Sequence, residues 1–395
     1  MVWLYALGII TLVILIVCVL WLALFERNKP SASSLTASSL TTSSKTLSST
    51  SEPKATYFRF MDDLSNKNSI ELFETMKQVL DTDGIGMGER TSAAIYFFES
   101  LDIIDYLMTK APFGPNTKYV FGIQGTDDIV SKSMMALRMR EKLSVDTIVH
   151  ILPITFIYDI PNDIKLLFND IRMESGVYIL KKNIQRQEGN LITRDPNTIM
   201  GAGKQKYVVA QRLLSNPMII GGRKINMRVY LLISIPPGGQ TARFYIYKNG
   251  FIYYTPKLWD PDSIDPDVHI TTGYIDRQVY AQNPLTFRDL EVHMGSETYG
   301  HLWNNIMGVM SHVRETYQDR LTENNKMYPG TKFLIYGCDI APDNRLDVKL
   351  IEINKGPDLG YKDERDKQVK FNMVSDAFRL VGMTGTTTMG DFAEV

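Results

Sequence analysis

Cysteine is nearly missing from the chain: 395 residues hold two, Cys18 inside an apolar run and Cys338 inside a strand-like one. Two thiols so placed build neither a disulfide framework nor a zinc cluster, so the folded part reads as a reducing-compartment protein held by an apolar core. Histidine is scarce as well, and His150, His269, His293, His301 and His312 show no metal-ligand spacing; a structural or surface role is expected for each. No Asn-x-Ser/Thr acceptor occurs, as suits a chain outside the secretory lumen. Neither sign of charge dominates, with 43 basic against 44 acidic residues and a net charge of -1. That balance excludes a nucleic-acid binder working through bulk charge. No internal repeat is visible.

What is present is ordinary globular composition, 44% hydrophobic and 22% charged, in a chain long enough for two or three packed domains. Residues 2–25 carry no charge, enough at about 1.5 Å per residue to cross a hydrocarbon core of about 30 Å. Trp3, Tyr5 and Trp21 stand near the ends of this run, and Arg27 and Lys29 follow it, which favours a spanning helix with a cytoplasmic C-terminus. A cleaved signal peptide is the competing reading; it lacks a basic leading region and a small-x-small cleavage site. In residues 31–51, fifteen of 21 are Ser or Thr, too polar to repay the entropy of ordering, so a flexible tether is expected. In the reverse orientation the same composition reads as a glycosylated stalk.

After Pro53 the pattern becomes globular, with helical periodicity over 70–80 and 92–107. Strand-like runs follow at 178–180, 207–210, 229–233, 244–247, 333–338 and 348–353, interspersed with helical patterns, which predicts a mixed α+β or α/β architecture. Asn249-Gly250 between two aromatic runs signals a two-residue hairpin.

The sharpest chemistry sits in residues 333–354, two apolar strands joined at Ala341-Pro-Asp-Asn-Arg345. Glu352 and Asn354 are two apart and share a strand face. A turn centred on Asp343-Asn344 sets Asp339 opposite Val348 and on that same face. Three oxygen ligands of this kind suit Mg²⁺ shared with substrate phosphates. Glu352 also interrupts the apolar run Leu350-Ile-Glu-Ile, where a bare carboxylate is costly without a partner.

Here the residues resemble the tubulin-tyrosine-ligase-like family. Tyr336-Gly-Cys-Asp339 and Leu350-Ile-Glu-Ile-Asn354 with Pro357 look like its F/YGxD and LxExNxxP motifs. Upstream, Tyr178-Ile-Leu-Lys181 is similar to WIxKP, Val209-Ala-Gln211 with Pro217 to xxQxYxxxPLL, and Arg223-Lys-Ile-Asn-Met-Arg228 to KFDxR. Gly125 and Lys132 look like its G-x6-K, and residues 366–382 resemble its closing helix. The order is preserved over about two thirds of the chain, from Phe121 to Gly382, and several collinear motifs are far more specific than any one.

The resemblance implies an α+β, ATP-grasp fold in which two subdomains clamp ATP. It places a central subdomain at 121–222 and a C-terminal one with the metal site at 223–395. Before them come a mainly helical region at 56–120, the linker at 26–55 and the anchor at 2–25. By the same resemblance Lys132 and Lys181 contact ATP phosphates, Gln211 the adenine, and Asp339, Glu352 and Asn354 magnesium, while Arg186, in the departing loop, is expected to add side-chain charge toward the phosphates. Arg228 and Lys248 steady acceptor or intermediate. The implied activity joins an amino acid (Tyr, Glu or Gly) to a protein carboxylate through an acyl-phosphate, with tubulin tails as acceptor and ATP and Mg²⁺ consumed or required. A single-pass membrane protein with a cytoplasmic catalytic domain is expected.

Four positions depart from the pattern. Lys182 replaces the proline after the first lysine, Arg186-Gln-Glu-Gly-Asn190 replaces the glycine-rich RGxGI loop, Asn226 replaces the aspartate of KFDxR, and Thr272 the asparagine of HLTN. A phosphate loop with one glycine turns less easily. The alternative is therefore a membrane-tethered ATP-binding scaffold of the same fold with impaired catalysis.

Overall fold

The computed structural model describes residues 55–60, 67–90, 92–98, 101–111, 113–174, 176–184 and 189–395. The expected anchor, nearly all of the linker, and Arg186 lie outside them. Among the described residues no helix is long and apolar enough to cross a membrane.

Short runs of β-branched and aromatic residues form the first strands, β1 (Thr56–Phe60), β2 (Gly86–Met87), β3 (Ile95–Phe98) and β4 (Tyr119–Phe121). All four pair in parallel, in the order β2-β1-β3-β4, with helices α1 (Lys67–Thr82) and α2 (Ile104–Lys110) between them. Residues 92–107 therefore do not form one helix: their first half is β3, and only Ile104 onward is α-helical. Ile95, Tyr96, Phe97 and Phe98 are all buried, because a parallel strand is apolar on both faces. Such a run carries no period that separates strand from helix. The region 56–120 joins the main sheet, since β4 pairs in parallel with a strand from the far end of the chain.

A small antiparallel sheet follows, in the order β5-β8-β6-β7, from β5 (Thr155–Ile157), β6 (Tyr178–Lys181), β7 (Asn190–Thr193) and β8 (Val209–Arg212). Helix α3 (Lys132–Lys142) precedes it, its N-terminal amides capped by Ser131, whose Oγ accepts from Met134 N–H at 3.4 Å.

The rest of the chain extends the first strands into a sheet of eleven. It adds β9 (Ile219–Ile220), β10 (Arg223–Ile235), β11 (Arg243–Tyr247), β12 (Phe251–Tyr254), β13 (Thr331–Pro342), β14 (Val348–Lys355) and β15 (Phe392–Glu394). The 13-residue β10 is the spine, antiparallel to β13 on one edge. Its other edge takes β11 and then β12, both antiparallel to β10 and not to each other. Asn249-Gly250 is thus not a hairpin turn. It is an irregularity in one interrupted strand, where both flanking runs find their hydrogen bonds on β10. Gly250 is required there by close approach: a Cβ would stand 2.3 Å from the Arg228 carbonyl oxygen.

Helix α4 (Ser296–Asn325) covers this sheet with Leu302, Ile306, Val309, Val313, Tyr317 and Leu321, spaced three or four apart so that one stripe faces the core. Helix α5 (Glu364–Leu380) begins at Asp363, which caps it by accepting from Asp366 N–H at 2.9 Å.

Candidate active site

The hairpin β13–β14 sets the site. Its connection is longer than the sequence suggests: Pro342 pairs with Val348, and residues 343–347 turn around Asp343, whose Oδ1 accepts from Arg345 N–H at 2.8 Å and Asp347 N–H at 2.9 Å. Asp339 therefore does not face Val348. Continued unbroken, this register would also turn Glu352 away from Asp339. A bulge intervenes, with Ile340 opposite Leu350 but Asp339 opposite Glu352, leaving Ile351 as the extra residue. Directly opposed residues of an antiparallel pair share a face, so the bulge brings the two carboxylates together.

One strand further, Arg228 of β10 is directly opposite Asp339. The result is a row of Arg228, Asp339 and Glu352 across three adjacent strands. Arg228 grips Asp339 in a two-pronged pair, Nε to Oδ1 at 2.7 Å and Nη2 to Oδ2 at 3.2 Å. Gly337 makes room for this: a Cβ there would lie 3.0 Å from Arg228 Nη1 and 3.1 Å from Pro357 Cβ. Asn354, two residues beyond Glu352, donates from Nδ2 to Glu352 Oε1 at 3.1 Å. Burial pushes the Asp339 carboxyl above its ordinary range, against the pull of Arg228 and with the neighbouring Glu352 adding to the rise. Burial works against the Glu352 charge too, but Lys181 and Lys132 outweigh it and hold that carboxyl below its usual value.

Those lysines come from the other sheet and its preceding helix. Lys132, in the first turn of α3, donates to the Ile184 carbonyl at 2.9 Å and stands 3.9 Å from Glu352 Oε2. Lys181 ends β6 and is 4% exposed. Burial lowers its ammonium to about 8, with the Glu352 charge opposing and Lys132 assisting. Lys224 of β10 is equally buried, and burial together with Lys181 lowers it to about 8 as well. Neither Lys181 nor Lys224 forms an ion pair with any described residue. Both line a cleft between the two sheets whose walls also carry Gln211, Asn226, His269 and the carboxylates Asp339 and Glu352.

Gln211 is buried on β8 and donates from Nε2 to Thr155 Oγ1 at 2.9 Å. Asn226 Oδ1 and His269 Nδ1 are buried without a hydrogen-bond partner. His269 is fixed through Nε2, 2.7 Å from the Ser263 carbonyl, and edge-on to Trp259. Burial lowers its pKa, so the ring is neutral and, donating from Nε2, offers Nδ1 as a bare acceptor to the cleft.

The structure brings together six of the residues read from sequence: Lys132, Lys181, Gln211, Arg228, Asp339 and Glu352, with Asn354 beside Glu352. It does not bring in Lys248, which is exposed between β11 and β12 with its backbone N–H bonded to the Asp391 carbonyl, and which does not line the cleft. Sequence reasoning missed Lys224 and favoured a structural or surface role for His269, while noting that it is the histidine that looks like the family's HLTN. The signal for Lys224 was available: Lys224, Asn226, Arg228 and Tyr230 alternate with apolar residues, marking a polar face on a strand otherwise buried.

Among the described residues no three His, Cys, Asp or Glu side chains cluster, so the candidate set is two carboxylates and one amide. All-oxygen donors of this number fit magnesium, which keeps several waters, better than a metal that needs a full protein cage.

Two sheets facing across a cleft, with buried lysines in its walls and paired carboxylates on adjacent strands of its floor, define the ATP-grasp class. The model of the tubulin-tyrosine ligase family matches residues 123–389. The chain belongs to the tubulin-tyrosine ligase family. Among curated relatives it is 28% identical over 192 residues to "Probable tubulin polyglutamylase TTLL9" of Bos taurus, covering 46% of this chain and 40% of that protein. It is 24% identical over 260 residues to "Tubulin polyglutamylase TTLL5" of Mus musculus, covering 59% of this chain and 18% of the other. With "Probable tubulin polyglutamylase ttll-9" of Caenorhabditis elegans the identity is 21% over 276 residues, 65% of this chain and 64% of the relative. In each case the chain spans less than two thirds of the relative's length.

Proposed function

We propose that the protein is a Mg·ATP-dependent ligase that joins an amino acid to a protein carboxylate, with tubulin as acceptor. The observation that carries this reading is the buried ammonium of Lys181 facing the Asp339 and Glu352 carboxylates across a cleft, with the buried ammonium of Lys224 in the same lining and neither lysine ion-paired to a described residue. A buried cation without a counter-charge is costly, and an incoming phosphate chain relieves the cost. Asn226 Oδ1 and His269 Nδ1 are acceptors awaiting donors such as ribose hydroxyls or an amino group.

In this reading Lys132, Lys181, Lys224 and Arg186 hold the phosphates and Gln211 the adenine, while Asp339, Glu352 and Asn354 hold magnesium. When bound, magnesium supplies charge neutralisation to the transferring phosphoryl group. A carboxylate oxygen of the acceptor attacks the γ-phosphorus and ADP leaves. The amine of the amino acid then attacks the acyl carbon, phosphate leaves, and the amine proton passes to solvent. Arg228 steadies the acceptor or acyl-phosphate. Positioning and charge account for catalysis of this type, which needs no protein nucleophile. The printed names of the relatives make glutamate the first amino acid to try. The apolar run at 2–25 would anchor the domain at the cytoplasmic face of a membrane, a topology that protease protection in sealed vesicles tests directly.

The decisive assay incubates the full chain with tubulin, Mg·ATP and each labelled amino acid in turn. Incorporation that disappears in Glu352→Ala supports the ligase. A folded protein that incorporates none of the twenty refutes it, and nucleotide binding without turnover is the result expected of the scaffold alternative.

A further inference from the structure

Thr155 of β5 lies directly opposite Gln211 of β8 in their antiparallel pair, so the two side chains stand on one face of the small sheet. Both are buried and uncharged. Thr155 has a single hydroxyl proton, which Oγ1 donates to the Pro153 carbonyl at 2.8 Å. Toward any other neighbour that oxygen is an acceptor, and Gln211 meets it with Nε2 at 2.9 Å. Turning the Gln211 amide over would set Oε1 against Oγ1, two acceptors in contact, or would strip the Pro153 carbonyl of its donor. The contact therefore fixes which way the amide points. Oε1 accepts from no described residue, and Gln211 lines the cleft that Lys181, Asp339 and Glu352 also line.

The strand that carries Thr155 is itself held from its open edge. Within the small sheet β5 pairs only with β8. On the other side Arg140 donates from Nη2 to the Thr155 carbonyl and pairs through Nη1 with Asp163 Oδ2 at 2.6 Å. The same Oδ2 accepts from Ile157 N–H at 2.8 Å. One ion pair thus takes the place of a neighbouring strand and fixes the backbone on which the Thr155 hydroxyl stands.

We propose that Thr155 is a positioning residue that sets the base specificity of the nucleotide site. By holding Gln211 with Oε1 free for the ligand, it selects a purine with an amino group at C6 over one with a carbonyl there. Adenine presents an N6–H donor, which Oε1 accepts, whereas guanine and hypoxanthine present O6, and two acceptors then oppose each other. A buried polar group left without its complement rejects the wrong ligand strongly, because water cannot replace the lost bond. The inference rests on the assignment of Gln211 to the adenine and adds the residue through which that glutamine discriminates.

The test is calorimetric titration of the full chain, and of Thr155→Val and Thr155→Ser, with Mg·ATP and Mg·ITP, whose bases differ at C6 and in the proton on N1. The unsubstituted protein is expected to bind ATP at least a hundredfold more tightly than ITP. Valine keeps the branched shape of threonine without the hydroxyl, so in Thr155→Val the amide turns over and the ratio falls at least tenfold, with ITP bound more tightly than by the parent. Serine keeps the hydroxyl and restores the parent ratio. A purely structural role for Thr155 weakens both nucleotides together and leaves the ratio in place, and that result overturns the proposal. The unsubstituted protein supplies a test that needs no variant to fold: ATP and ITP bound equally overturn the positioning of Gln211 while the nucleotide site stands. Absence of any nucleotide binding removes the nucleotide reading and this inference with it.

Discussion

Replacing Lys181 by methionine isolates the energetic claim on which the nucleotide site rests. Lys181 is 4% exposed, and burial brings its ammonium from 10.5 to about 8. That difference corresponds to about 3 kcal/mol of disfavour for the charged form in the folded state. The sign follows from proton counting. Below pH 8 the lysine is charged in both states and the folded state carries the whole cost. Between pH 8 and about 10.5 the folded protein has released the proton and the unfolded chain still holds it, so the unfolded state binds more protons and stability rises with pH. Methionine keeps the length and apolar stem without the charge. Lys181→Met is therefore expected to be more stable than the parent at pH 7 by about 3 kcal/mol, or about 4 °C in melting temperature for the roughly 340 residues from Pro53 onward. The advantage shrinks as pH approaches 10. Nucleotide reverses the order, since a ligand at a thousand times its Kd adds about 4.1 kcal/mol to the parent and little to the variant. Thermal melts of both proteins at pH 7, 8, 9 and 10, with and without Mg·ATP, read all of this. A parent at least as stable as the variant at pH 7, or a difference flat with pH, refutes the picture of an unpaired buried charge.

Three further outcomes follow from the same geometry. Arg228→Ala strands the Asp339 carboxylate in the interior and costs about 3–5 kcal/mol in chemical denaturation, most of it recovered in Arg228→Ala/Asp339→Asn. Glu352→Gln keeps its shape and its contact with Asn354, so the melting temperature moves by a few degrees at most, while magnesium-dependent ATP turnover falls at least a hundredfold in a coupled ADP assay. Gly337→Ala places a methyl group against Arg228 Nη1 and Pro357, so turnover with acceptor present drops about tenfold or more while nucleotide affinity, measured by calorimetry, changes little.

Much of the site was open to a reader of the sequence because its chemistry is local. Glu352 and Asn354 share a face by the period of a strand, Asp339 follows a run of buried residues, and Lys181 and Gln211 each occupy a short strand visible as an apolar run. What the chain alone determined was the inventory: two carboxylates and an amide near the C-terminus, cations upstream, and mixed α and β segments in a recognisable order. The tertiary structure decided how these meet. A bulge at Ile351 selects the face that Glu352 presents, and no local propensity announces which residue a ladder will skip. Lys132 reaches Glu352 across 220 positions, and β4 joins β13 across the length of the domain. Asn249-Gly250 has the composition of a hairpin turn, yet the flanking runs lie on β10 because a strand of 13 residues offers both of them hydrogen bonds and a buried surface. Lys224 drew no reading from the sequence, and its burial follows from the packing of distant segments around it. Side-chain period is a property of a few neighbouring residues, whereas register, pairing and burial depend on which distant segments compete for the same edge, and that competition is resolved only when the whole chain packs.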